Sequence, residues 1–254
     1  TFNTVWVNGR LTINGAAFKR IDPRLESKIS IYPGGEVNLR SGSVDHLYVS
    51  ANGTLSVSGG KINTLETACG AWEKVALSDG EFGKIALREY EGEILESVRN
   101  VTYADFAAML SPGKGYQKSD STYAGNGDVA KDDDYDVLGH IKLLRDVTVT
   151  AAPFTGLTVA GDSSVTYGSS AALTASISNP PAGGGVAYQW YLDGTAIDGA
   201  TGASYTTSTT LSAGSHTFVC EASFNGYVCR SSEVTVTVTP RKIYPIVDMV
   251  KSTL

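Results

Sequence analysis

The chain has 254 residues, 42% hydrophobic and 18% charged, which excludes a disordered polyelectrolyte and leaves room for one large or two ordinary domains. A formal net charge of −6 supplies no basic footprint and argues against nucleic acid and anionic membranes as partners. With 28 Gly and 13 Tyr among many Thr, Ser and Val residues, the composition is one of strands and turns, so an all-β fold is expected.

The opening TFNTVWV has neither an initiator Met nor a charged-then-apolar leader, and no apolar run is long enough to span a bilayer. A mature product or an excised piece of a longer chain is expected. From residue 4 onward, short alternating segments recur. Pairs of apolar residues occur at Ile29/Ile31, Leu47/Val49, Leu65/Thr67 and Ile85/Leu87, spaced 18, 18 and 20. A second set runs Val37/Leu39, Leu55/Val57, Val75/Leu77 and Ile94, spaced 18, 20 and 19. A third, of single residues, runs Val44, Ile62, Phe82 and Val101, with the same 18, 20 and 19 spacing. Val5/Val7, Leu11/Ile13 and Phe18 fit the same order upstream, with an insertion around Asp22-Pro23.

Three short strands per repeat without a helix predict a right-handed parallel β-solenoid of five coils, the last incomplete, with glycines at the corners. Thr67 breaks the inward apolar rule, and ACGAW at 68–72 adds two residues, which predicts a bulged corner. An open solenoid end needs a cover. Thr102 before YADFAAML reads as an N-cap, so a small helical cap is expected, stopped by Ser111-Pro112-Gly113. A polar, acidic stretch follows, and LGHIKLLRDVTVTAAP then supplies a strand leading out.

From about residue 154 turn signals fall every 8 to 12 residues, as in a β-sandwich. In VAYQWYL, Trp190 resembles the core tryptophan of an immunoglobulin sandwich. LSAGSHTFVCEA resembles the entry to its strand F, with Cys220 at the place of the second core cysteine. LTASIS has no partner cysteine, and Phe218 stands where a tyrosine corner would put its hydroxyl. Cys220 and Cys229 flank a hairpin whose Asn225-Gly226 turn sets Ala222 opposite Cys229 and leaves Cys220 diagonal. A disulfide there needs a shift of register; two free thiols are the other reading. Val234, Val236 and Val238 disagree in parity with Cys229 unless a bulge falls near Ser231-Ser232. Cys69, left single, reads as a small core residue. The domains are therefore expected at 1–150 (solenoid with cap), 151–240 (immunoglobulin-like) and 241–254 (a linker or the start of a further domain).

Taken together, GTLSVSGGKI, VTYADFAAMLSPGKGY and QWYLDGTAIDGATGASYT followed by AGSHTFVCEA resemble the multidomain surface proteins of gut Gram-positive bacteria. The resemblance covers nearly the whole chain, but its motifs are structural. It implies display on the bacterial cell surface and a binding or stalk role, and it transfers no catalytic residue.

Chemistry-bearing patterns are sparse. The three histidines are His46, His140 and His216; Asp45 and His46 point to opposite faces of a strand, and His216 starts a strand at a sandwich edge. No GxSxG, HExxH, P-loop or dinucleotide fingerprint occurs. Asp132, Asp134 and Asp136 alternate as calcium ligands often do, yet the glycine and late glutamate of an EF-hand loop are missing, so a solvated acidic loop competes with a calcium site. No cofactor is implied. Outward aromatics are the natural anchors for a partner: Trp6, Tyr32 and Tyr48 on the first solenoid face, Phe224 and Tyr227 at the hairpin tip. The expected function is a monomeric, non-catalytic adhesion or host-protein-binding module, its partner a glycan, a surface glycoprotein or an immunoglobulin. A structural spacer is the alternative, and a solenoid polysaccharide lyase or hydrolase the third reading.

Overall fold

The structure, a computed structural model, describes residues 4–19, 28–89, 99–132, 140–182 and 184–242. The expected insertion at Asp22-Pro23, the inward Ile94, Asp134, Asp136 and the chain beyond residue 242 lie outside the described residues. Two compact units are present: Thr1–Pro153 with Asn225–Tyr227, and Phe154–Phe224 with Val228–Leu254.

The first unit is a parallel β-solenoid. Its opening strands are β1 (Thr4–Val7), β2 (Arg10–Ile13) and β3 (Ala16–Phe18). Below them run β4 (Lys28–Ile31), β5 (Glu36–Leu39), β6 (Gly42–Val49), β7 (Thr54–Thr67) and β8 (Val75–Arg88). Pairing follows the repeat read from the sequence. Val5, Ile29, Leu47, Leu65 and Ile85 are stacked in one column, and Leu11, Val37, Leu55 and Val75 in a second. Phe18, Val44, Ile62 and Phe82 form the third.

Each strand presents alternate side chains inward, so stacking coils at about 4.8 Å turns three sparse patterns into one continuous core. Among these columns, Leu47, Leu55, Ile62, Leu65 and Ile85 are fully buried. Thr67 is buried in a further inward column, between Val49 and Leu87, and its hydroxyl has no hydrogen-bond partner. That orphan costs about 1–3 kcal/mol, a cost that the surrounding aliphatic stack offsets.

The bulged corner takes a specific form. Gly70 at φ 71 leads into a 3-10 turn, Ala71–Lys74, which drives Trp72 fully into the core, with the Arg99 guanidinium 4.8 Å from its ring centre. The two extra residues thus deliver a large side chain where the inward rule was broken.

The solenoid makes about four turns, and its last edge is not continued by a fifth parallel coil. Instead β11 (Ile141–Ala151) returns antiparallel along β8, setting Leu144 against Ile85 and Val147 against Phe82. The strand expected to lead out of the unit therefore seals it. Strands β9 (Lys114–Lys118) and β10 (Ala130–Lys131) pair with β11 in turn. Val101, expected as the inward residue of a fifth coil, is buried but belongs to no strand.

Helix α1 (Tyr103–Ala107) is five residues long; the Asp105 carboxylate accepts the Thr102 N–H at 2.9 Å, holding its first turn. Phe106 and Met109 are fully buried, and Leu77 and Leu110 bridge across the segment that follows the helix. Backbone pairing at this edge comes from β11 and residues 109–111, with α1 contributing side chains.

The second unit has two sheets. A three-stranded antiparallel sheet orders β12 (Thr155–Gly161), β14 (Ala172–Ser178) and β17 (Ser204–Thr206). A six-stranded sheet runs β13 (Ser164–Thr166), β20 (Val234–Thr239), β18 (Gly214–Phe224), β15 (Ala187–Leu192) and β16 (Thr195–Ala196), with β19 (Tyr227–Arg230) also on β18. Trp190 lies opposite Cys220 on β18, and Tyr205 of the smaller sheet meets the rings of Trp190 and Phe218 at 5.8 and 6.0 Å. Asn225 and Gly226, at φ 48 and 85, form the expected two-residue turn. The expected bulge is present too. The Ser231 N–H donates to the Cys220 carbonyl, whereas Val234 pairs with Phe218, so the register slips by one across 231–233. That slip turns Val236 and Val238 into the core.

Candidate functional site

The outward rows of the first solenoid face follow from the same register. Trp6, Ser30, Tyr48, Glu66 and Ala86 occupy successive rungs. Lys28 precedes the inward Ile29 and Tyr32 follows the inward Ile31, which puts their side chains on the outside. Trp6 and Tyr32 are exposed, at 58% and 42%, and their rings meet edge to face at 5.0 Å. The Lys28 ammonium stands 5.1 Å from the Tyr48 ring centre. These residues, with Pro33, Ser50 and Arg88, line a cleft of about 380 Å³. All three aromatics expected on this face are therefore gathered in one place.

Ser30 forms part of the lining. It is 3% exposed and its hydroxyl has no hydrogen-bond partner. On the rung next to Tyr48, Glu66 accepts from Arg88 Nε at 2.6 Å and lies 3.1 Å from His46 Nε2. Burial alone would raise the Glu66 pKa, but the His46 contact and the Arg88 charge outweigh it and bring it to about 2. The carboxylate is thus ionised and engaged, and it orients the Arg88 guanidinium at the cleft wall. Burial raises the Tyr48 phenol, which stays neutral at ordinary pH.

Sequence reasoning placed the three aromatics on this face but overlooked Lys28 and Arg88. The signal for Arg88 was present: it follows the inward pair Ile85/Leu87 as Tyr32 follows Ile29/Ile31.

The other predicted sites do not assemble in this way. Phe224 and Tyr227 flank the hairpin turn and are both half-buried. Cys220 and Cys229 are free thiols, because the turn pairs Ser231 with Cys220 and leaves the two cysteines diagonal; a disulfide is not formed. Burial pushes the Cys220 thiol up to about 11, which makes it inert as a nucleophile. Cys69 is in no disulfide and packs, partly buried, against the solenoid core. Asp132 is buried and accepts from Lys84 Nζ at 3.0 Å. Among the described residues no group of three His, Cys, Asp or Glu side chains is arranged to hold a metal. No helix among them is long and apolar enough to cross a membrane.

One constellation was not legible beforehand. His216 Nδ1 lies 3.0 Å from Asp193 Oδ2, and Nε2 lies 3.3 Å from Ser212 Oγ, the order of a nucleophilic triad. However, Nε2 is also 3.0 Å from the Ser212 carbonyl oxygen, which can only accept. Both ring nitrogens are therefore donors, and a ring so held has no lone pair to take the serine proton. Asp193 Oδ1 accepts the Thr217 N–H at 2.8 Å, so the group ties the turn after β15 to the start of β18. Asp193 first, then the Ser212 carbonyl, raise the His216 pKa above its ordinary value.

Stability linked to His216 should be fully present below its unfolded pKa, near 6.5, and be lost as pH rises through the raised folded value. Thermal unfolding of the parent and His216→Gln across pH 5 to 9 checks this: the gap between them should close at the alkaline end. A gap that widens there contradicts the donor assignment.

Comparison with family models and with curated proteins finds no match to this chain.

Proposed function

We propose that this chain is a non-catalytic adhesion or host-binding module displayed on a bacterial cell surface, with the cleft around Trp6, Tyr32 and Tyr48 as its recognition site. The observation that carries the reading is the cleft itself. Two exposed aromatic rings, a third half-buried ring and two cations converge on a surface that needs none of them to close its core. Aromatic side chains supply contact area at small entropic cost, and the solenoid backbone holds them at fixed rungs.

Surface display, and the origin in a gut Gram-positive organism, rest on the resemblance of the repeat and of QWYLDG and HTFVCEA to such proteins. An immunoglobulin-like identity for the second unit, with α1 and β11 as the cap of a right-handed solenoid, belongs to the same reading. It is supported by Trp190 opposite Cys220 and by aromatic contact between the two sheets. A spacer role is the second reading, favoured by the bland outward row Asn38, Ser56 and Ala76 on the next face.

Screening the chain on glycan and host-protein arrays tests the reading. Saturable binding is expected, with Trp6→Ala weakening it about tenfold or more, since an anchor residue commonly contributes 2 kcal/mol or more. Silence on every array favours the spacer. Turnover of a polysaccharide by the purified chain would overturn the non-catalytic assignment.

A further inference from the structure

The charges at the cleft do not call for an ion. The Arg88 guanidinium is paired with the Glu66 carboxylate, and the Lys28 ammonium lies over the Tyr48 ring. Both cations are already engaged, so the site needs no anion to balance it.

The polar groups that line it are one-sided. Trp6 offers an indole N–H, Tyr32 and Tyr48 offer hydroxyls, and the side chains of Lys28 and Arg88 are donors only. Among the described residues, no Asp, Glu, Asn or Gln side chain lines the cleft. A sugar, whose hydroxyls both donate and accept, finds few side-chain acceptors here. An uncharged ligand with many acceptors and few donors is complementary to this wall, its carbonyl dipoles set against N–H and O–H groups. A run of prolines is such a ligand, because each residue keeps its carbonyl and has no N–H.

Spacing gives a second, independent match. Trp6 and Tyr48 occupy the first and third rungs, about 9.6 Å apart along the stack, and Ser30 on the rung between them is buried. Polyproline II repeats every three residues, about 9.3 Å. A peptide running along the stack therefore sets one proline ring on Trp6 and Tyr32 and the third ring after it on Tyr48. Trp6 stays where its edge-to-face contact with Tyr32 holds it, since the ligand lies on the exposed surface of the ring.

We propose that the cleft docks an uncharged proline-rich segment of a partner protein in the polyproline II conformation, prolines three residues apart packing on Trp6 with Tyr32 and on Tyr48, and peptide carbonyls facing the donors of the wall. This rests on the cleft being the recognition site and narrows its partner to a protein. A polyproline II segment is already ordered when free, so it loses little entropy on docking.

The test is fluorescence and calorimetric titration of the whole chain with three blocked, uncharged peptides: nonaproline, a peptide whose four prolines recur at every third position among alanines, and one whose four prolines recur at every fourth. Trp72 and Trp190 are fully buried, so a change in emission on binding reports Trp6. Nonaproline and the every-third peptide should bind saturably, and the every-fourth peptide about tenfold or more weakly. Trp6→Ala and Tyr48→Ala should each weaken nonaproline about tenfold or more. Tyr32→Phe, which removes only a hydroxyl, should weaken it about threefold. Raising the salt concentration should leave the affinity unchanged, because no charge is neutralised on binding. Circular dichroism and the unfolding midpoint verify that each variant is folded.

Equal affinity for the two spaced peptides overturns the polyproline II register. Failure of all three peptides, with Trp6-dependent binding of a glycan or of another protein on the arrays, overturns the proline assignment while the cleft stands as a recognition site. Failure of the peptides and the arrays together overturns both.

Discussion

Trp190→Ala is expected to cost the second unit about 3–5 kcal/mol, enough to unfold a domain of ordinary stability in part of the population. The side chain is fully buried, and its indole N–H donates to the Gly202 carbonyl at 2.8 Å. Tyr205 packs against the ring from the other sheet, and Cys220 lies opposite on β18. Truncation therefore opens a cavity between two sheets and leaves the Gly202 carbonyl without its donor. Cys220 reports the effect directly, since it is fully buried and its labelling by a thiol reagent requires opening of this unit. Labelling of Cys220, resolved by peptide mapping from Cys69 and Cys229, should accelerate by two or more orders of magnitude in the variant. A rate equal to that of the parent would mean that the sheets do not depend on the ring.

Gly42→Ala should be nearly as damaging to the solenoid, by about 3 kcal/mol, although it adds a single methyl group. Gly42 has φ +99, and a Cβ there would lie 2.1 Å from the Ala16 carbonyl oxygen and 2.9 Å from its nitrogen. Ala16 is its partner on the neighbouring rung, so relief requires parting two coils at a hydrogen-bonded position. Gly34→Ala is the control: its φ is +83, but a Cβ would meet nothing within 4 Å. That variant should lose only the backbone term, about 1–2 kcal/mol. Urea unfolding followed by the fluorescence of the fully buried Trp72 separates the two, and equal losses would show that crowding between rungs contributes nothing.

Why the solenoid was legible and its closure was not follows from the physics of repeats. Stacking forces chemically equal positions into one column, so Leu47, Leu65 and Ile85 announce one another across the sequence. The end of the stack has no such redundancy. Ile141 to Ala151 alternates like any half-buried strand, and nothing local says whether it pairs parallel, antiparallel or elsewhere. The cleft was half-legible for the same reason. Trp6, Tyr32 and Tyr48 could be placed by register, whereas the approach of Arg88 to Glu66 depends on side-chain reach, which periodicity does not carry. The clamp of His216, Asp193 and Ser212 joins residues 4 and 23 positions apart through a sheet crossing, and no spacing rule marks it.

The antiparallel return of β11 also bears on how such a chain can change in length. A parallel stack templates its own continuation, and a duplicated segment of about eighteen residues could be added wherever one coil hands its edge to the next. At β8 that hand-over is closed, because the edge is already taken by a strand running the opposite way. Coil duplications are therefore accommodated upstream of β8 and refused after it. The gene can lengthen the protein from the middle, while the same pairing keeps one molecule from being extended, strand on strand, by another at that edge.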